Sequence, residues 1–223
     1  MSMNLDIADN LKEFKNKLAA NVRLLAVSKT KPIAMLQAAY DAGQRDFGEN
    51  KVQELRDKHP LLPSDIRWHM IGHLQTNKVK YIAPFIYMIH SVDSIKLLEE
   101  IDRRAALADR KIKVLLQVYI AEEESKFGFS IDELKTLFSK EFIAAYPHVE
   151  FSGLMGMATF TEDKVQIRKE FKSLHSLFIE VKEKFPELTS FNELSMGMSN
   201  DYEIAMEEGA TMVRIGSSIF GSR

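Results

Sequence analysis

The run Val114-Leu115-Leu116-Gln117-Val118-Tyr119-Ile120, followed by Ser130 and a stripe of Ile131, Leu134, Phe138 and Phe142, decides the architecture. A short, mostly apolar run without polar alternation describes a strand covered on both faces, as a parallel sheet between helices demands. Ser130 stands where a helix N-cap belongs. Val149-Glu150-Phe151-Ser152-Gly153-Leu154 predicts the next strand. The helix after it carries Ile167, Phe171, Leu174, Phe178, Val181 and Phe185, at spacings of 4, 3, 4, 3 and 4.

Outward from this centre the same alternation continues. Upstream, Val22–Lys29 reads as a buried strand, and Pro32 opens a helix with Ile33, Leu36 and Tyr40 that ends near Gly43. Asp46-Phe47-Gly48-Glu49 is a weaker strand before a polar helix over 50–58. Trp68-His69-Met70-Ile71 is another, with a helical segment after Gln75. Ile86–His90 precedes a helix bearing Ile95, Leu98, Ile101 and Ala105, capped by Asp93 or Ser94. Downstream, Glu193-Leu194-Ser195 leads to a short helix ending at Gly209, and Thr211–Ile215 is the last strand. Eight strand–helix units of roughly 25 residues each fit a closed barrel of parallel strands. The expectation is an α/β fold: a single (β/α)8 TIM barrel domain over 1–223, with an extra N-terminal helix carrying Ile7, Leu11, Phe14 and Leu18. A doubly wound open sheet is the alternative, but no strand is followed by Gly-x-Gly-x-x-Gly or a Walker loop.

Composition narrows the chemistry. The 223 residues contain no cysteine, which removes disulfides, thiolate metal sites and cysteine nucleophiles. Thirty Lys and Arg against 32 Asp and Glu leave a charge of −2, without the basic footprint of a nucleic-acid binder. No apolar run approaches the roughly 20 residues that span a bilayer, and the first residues lack a secretion signal. The expectation is a soluble cytoplasmic protein with neither nucleic acid nor membrane as partner.

In such barrels the binding groups sit at the C-terminal ends of the strands. Leu25, Val27 and Lys29 share one face of the first strand by its period of two, so an inward Val27 places the Lys29 amine at the barrel mouth. An amine so placed can form a Schiff base with a carbonyl; the plain alternative is a solvated surface lysine. After the last two strands come Ser195-Met196-Gly197-Met198-Ser199-Asn200-Asp201 and Gly216-Ser217-Ser218. Hydroxyls and close backbone approach at those two ends suit a phosphate, since each run leads into a helix start; ordinary Ser/Gly turns are the alternative. Arg214 points inward beside Met212 and Gly216, so its buried charge needs a partner, either an inward acid such as Asp46 or a ligand. His69 and His73 run off a strand with no His-Glu-x-x-His motif, so no metal site is assigned. Glu122-Glu123-Glu124 reads as a solvated acidic loop.

These segments, together with Phe47-Gly48-Glu49-Asn50-Lys51-Val52-Gln53-Glu54, Trp68–Lys78 and Gly153-Leu154-Met155-Gly156-Met157, resemble the pyridoxal phosphate homeostasis proteins (the YggS or PROSC family) along essentially the whole chain. One small departure is Lys51, where an aromatic residue is frequent. The resemblance implies a barrel like the N-terminal domain of alanine racemase, with pyridoxal 5′-phosphate held on Lys29 as a Schiff base. It further implies phosphate contacts from Ser195, Gly216 and Ser217, and from the backbone around Met198 and Ser199. By the same resemblance Arg214 faces the pyridine nitrogen, Asn50 lies near the ring, and His69 stands behind it.

The expected function is intracellular cofactor (vitamin B6) homeostasis without substantial catalysis. PLP-requiring apo-enzymes are the expected protein partners, and the chain is expected to be a monomer or weak homodimer. A cation opposite the ring nitrogen weakens the electron sink that catalysis needs. A racemase also needs a second base, which alanine racemase takes from a further domain. A PLP-dependent amino-acid racemase of low activity is the alternative.

Overall fold

The apolar runs become strands and the apolar stripes become helices in a computed structural model that describes residues 2–122 and 127–221. The strands are β1 (Arg23–Val27), β2 (Asp46–Glu49), β3 (Arg67–Met70), β4 (Met88–Val92), β5 (Ile112–Gln117), β6 (Val149–Met155), β7 (Glu193–Ser195) and β8 (Met212–Ile215). They pair in chain order into a closed parallel barrel, and β8 returns to β1 with Leu24 opposite Val213 and Leu25 opposite Arg214. The helix α1 (Ser2–Lys17) precedes the barrel. Behind β1, β2 and β4 follow α2 (Ile33–Asp41), α3 (Val52–Lys58) and α4 (Ile95–Leu107); β3 is followed by a 3-10 helix, Thr76–Tyr81. Behind β5 to β8 come α5 (Ile131–Leu137) with α6 (Lys140–Ala144), α7 (Lys164–Lys184), α8 (Tyr202–Glu207) and α9 (Ser217–Phe220). Among the described residues no helix is long and apolar enough to cross a membrane.

Alternation along each strand sorts side chains into two layers. Trp68, Met70, Val114, Leu116, Val213 and Ile215 point outward and join the helices in one continuous apolar core. The inward residues form a different set, in which Met88, Leu115 and Met155 make a small apolar cluster of their own. At the strands' N-terminal end charged pairs close the barrel: Arg23 with Glu193, Arg67 with Asp46, and Lys113 with Glu150. Gly153 allows β6 to hug β7, because a Cβ there would lie 1.7 Å from the Glu193 carbonyl oxygen, and its φ of +150° suits only glycine.

Three local expectations need correction. The stripe from Ile131 to Phe142 is two helices, because the backbone turns extended at Phe138 and Ser139 caps a new start by accepting from the Phe142 N–H. That break lets Phe138 sit among Phe151, Phe185 and Phe191. The segment after Gln75 winds as a 3-10 helix. The fifth strand stops at Gln117, and Val118 makes only a single bridge to Phe129. Ser130 caps α5 in a capping box with Glu133, as its sequence position predicts. Glu123 and Glu124 of the expected acidic loop lie outside the described residues, while Glu122 pairs with Lys169.

Candidate functional site

At the C-terminal mouth a cavity of about 300 Å³ opens between the ends of β1 and β8. Seven of the nine residues expected at the site line it: Lys29, Asn50, Met198, Ser199, Arg214, Gly216 and Ser217. Val27, Ile71, Met157 and the Thr30–Lys31 turn complete the wall, with Gly221. Among the described residues the Lys29 amine has no hydrogen-bond or ion-pair partner. The neighbouring Lys31 amine is engaged, donating to the carbonyls of Phe220 (3.2 Å) and Gly221 (2.9 Å).

The turn that presents Lys29 is held from below. The Ser28 carbonyl accepts from the Lys31 N–H (3.1 Å) and from the Lys58 amine (2.9 Å). Lys58 in turn binds Glu49 (2.7 Å) and Glu54 (2.8 Å), and the Ser28 hydroxyl donates to Glu49 (2.6 Å). Burial pushes the Glu49 carboxyl up to about 7, against the pull of the Lys58 and Ser28 hydrogen bonds. Thr30 adopts φ +64°, strained for a β-branched residue, and its N–H is pinned to Glu54 at 2.6 Å. Behind Asn50 stands Gly72, where a Cβ would fall 2.4 Å from the Asn50 carbonyl oxygen. Backbone therefore packs directly on backbone at this corner.

On the opposite wall the hydroxyls of Ser199 and Ser217 lie 3.3 Å apart. The Met198 N–H, expected to face an anion, already donates to Asp201 at 2.6 Å. Arg214 is buried, and burial lowers its guanidinium to about 10. The proposed pairing with Asp46 does not occur, because Asp46 is taken by Arg67 (2.5 Å) and His69 (3.0 Å). Arg214 instead donates to the Ser195 carbonyl and hydroxyl, both at 2.9 Å, and to the Gly156 carbonyl at 3.0 Å.

Two expected site residues lie outside the cavity wall. Ser195 is fully buried, and its hydroxyl sits between Arg214 and His90, the latter at 3.1 Å. As the last residue of β7, next to the outward Leu194, it points at the barrel axis, so a direct phosphate contact does not fit its position. His69 is also fully buried, between Asp46 and His90. Sequence reasoning missed His90, whose only signal was an imidazole at the end of an apolar strand. It also missed Met157 and Lys31, although both stand in segments that carry the family resemblance.

Comparison with known proteins places this geometry. Residues 5–223 match the family described as alanine racemase, N-terminal domain. A pyridoxal phosphate homeostasis protein of Aquifex aeolicus is 41% identical over 202 residues, covering 90% of this chain and 87% of the relative. The human protein of the same name is 43% identical over 217 residues, covering 92% and 78%. The structure of PipY from Synechococcus elongatus without PLP superposes with a TM-score of 0.90 at 36% identity, covering 96% of this chain and 100% of that one. Its PLP-bound form gives a TM-score of 0.86 at the same identity and coverage. Alanine racemase from Bartonella henselae shares the fold alone, at 16% identity and a TM-score of 0.72, with 99% and 61% covered. With matches of this extent, the chain belongs to the pyridoxal phosphate homeostasis protein family and has its alanine racemase-like barrel.

Proposed function

We propose that the chain binds pyridoxal 5′-phosphate at the mouth between β1 and β8 and serves cofactor homeostasis, with residues 1–223 acting as one domain. The observation that carries this is the convergence of an unpartnered lysine amine, a buried guanidinium and two serine hydroxyls on one cavity of about 300 Å³. That donor set fits the group. Lys29 would hold its aldehyde carbon as a Schiff base, Ser199 and Ser217 its phosphate, Arg214 its ring nitrogen, and Asn50 would stand beside the ring. Val27, Ile71, Met157 and Met198 supply an apolar wall for the ring faces. When bound, the cofactor supplies an electron sink for carbanions, strongest when its ring nitrogen is protonated.

The chain's own residues argue for holding rather than turnover. Racemisation needs a base on each face of the substrate. Among the described residues the cavity wall contains no carboxylate, imidazole, phenol or thiol, and its bases are the two amines Lys29 and Lys31. The Lys31 amine is tied to two backbone carbonyls. Arg214, a cation, also disfavours protonation of any nitrogen it faces. The reading is a cytoplasmic protein that holds the cofactor, with PLP-requiring apo-enzymes as its partners.

One experiment on Lys29→Ala and the parent tests both halves of this reading. The parent should be yellow and trap the cofactor with borohydride; Lys29→Ala should do neither, with the melting temperature of its cofactor-free form unchanged. Trapping retained on Lys31 would show that the lysine assignment is wrong. The loaded parent should exchange the α-proton of added alanine with deuterium no faster than free cofactor does. Turnover from about 1 s⁻¹ upward, typical of enzymes, would restore the racemase.

A further inference from the structure

TIM barrels fill their interior with layers of branched apolar side chains. This one carries a line of polar groups straight across it. Asp46 on β2, His69 on β3, His90 on β4, Ser195 on β7 and Arg214 on β8 are all buried, and each touches the next at 3.0, 2.8, 3.1 and 2.9 Å.

Donor and acceptor bookkeeping gives the line a single direction. A guanidinium only donates and a carboxylate only accepts, so both ends are fixed. A neutral His69 that donates to Asp46 can only accept at Nδ1, which leaves the Nδ1 of a neutral His90 to accept the Ser195 proton while the Ser195 oxygen accepts from Arg214. His90 is then protonated at Nε2 and donates to His69 Nδ1, and His69 donates from Nε2 to Asp46. Every link is satisfied with both imidazoles neutral. Burial lowers both histidines, His90 well down with help from His69 and Arg214, in keeping with that state. At the far end burial raises the Asp46 carboxyl, but His69 and Arg67 outweigh it and hold it well below the usual carboxylate range. Among the described residues no carboxylate lies within hydrogen-bond reach of Arg214, and Asp201 acts on it only through space. Of its five N–H groups, three go to Ser195 and Gly156. Two are left for whatever fills the cavity it lines.

We propose that His90 and His69 are positioning residues, forming with Ser195 a one-way hydrogen-bond chain from Asp46 that fixes which N–H groups Arg214 presents to the cavity. The consequence for the cofactor rests on the function proposed above; the chain itself does not. If Arg214 meets the ring nitrogen, two of the residues that set its orientation, His69 on β3 and His90 on β4, lie outside the cavity wall.

The test has two arms. In protein freed of cofactor, ¹⁵N-histidine spectra at pH 7 should show two neutral imidazoles protonated at Nε2, with ring protons slow to exchange. Charged rings, protonation at Nδ1 or fast exchange would overturn the chain whatever the ligand is. In protein loaded with pyridoxal 5′-phosphate, His90→Phe should shift the visible absorbance band and weaken cofactor binding roughly tenfold or more, as expected for a hydrogen bond to a charged group. His90→Gln, whose amide can accept from Ser195 and donate to His69, should restore both. Should His90→Phe fail to fold, Ser195→Ala breaks the same link with little change in volume and should give the same shift. An unchanged band and affinity in folded His90→Phe or Ser195→Ala would overturn the positioning role. A parent that never colours would instead count against the cofactor reading, and the first arm would still decide the chain.

Discussion

The helix-facing and axis-facing sides of these strands are built one residue apart along the same backbone, yet along one line across the barrel the axis-facing side uses opposite chemistry. Outward positions such as Leu24, Trp68, Val114, Leu194 and Val213 enter one apolar layer with the helices. Inward positions such as Asp46, His69, Ser195 and Arg214 are equally buried but polar, and each is satisfied by a specific partner. Apolar burial is non-directional and tolerates rearrangement; a buried hydrogen bond is directional and costly to leave unmade. The outer layer can therefore hold the barrel together while the inner line aims one side chain at the mouth.

The comparison breaks most visibly in the outer layer. Phe171, fully buried on α7, should cost about 3–5 kcal/mol as Phe171→Ala in chemical denaturation. The folded fraction should keep the parent's absorbance band, since no polar link is touched. A shifted band would show that the two layers are coupled. An intermediate effect belongs to the far end of the inner line. The Asp46 carboxyl is lowered on folding, so its contribution is present above the unfolded value near 4 and is lost as pH falls through the folded one. Acid unfolding of Asp46→Asn followed by circular dichroism should lose that part of the acid limb, on the order of 2 kcal/mol. An acid limb identical to the parent's would mean that Asp46 carries no charge in the folded barrel. The smallest change is expected at the outer rim, where Ser130→Ala removes the cap of α5 for about 1 kcal/mol with no change in cofactor binding.

The two sides also differed in how far the sequence could be read. The outer layer announces itself locally: the stripe from Ile167 to Phe185 and the run Val114–Leu116 each contain their own period. The mouth was legible too, since Lys29, Ser199, Ser217 and Arg214 stand at or beside strand ends in a barrel whose active face is known in advance. The inner line was not. His69 invited a comparison with His73, four residues on, whereas its partners are Asp46 and His90, more than 20 positions away on neighbouring strands. Ser195 looked like the first residue of a phosphate turn, but β7 is short and parity turns its last side chain inward. Local spacing carries no trace of pairings made across a barrel axis. The break at Phe138 was hidden for a related reason, because a helical stripe stays in register across two helices when both pack on the same core.

The inner line also sets an order of events. The His90–Ser195 link joins positions 105 apart in the chain, and long-range contacts form late because loop closure must come first. Lys29 and its supporting turn are complete once the first strands and α3 have met, long before β4 can face β7 across a closed ring. The competence to hold a ligand in the native manner arrives only with closure, so native-like binding doubles as a report that the whole barrel has formed.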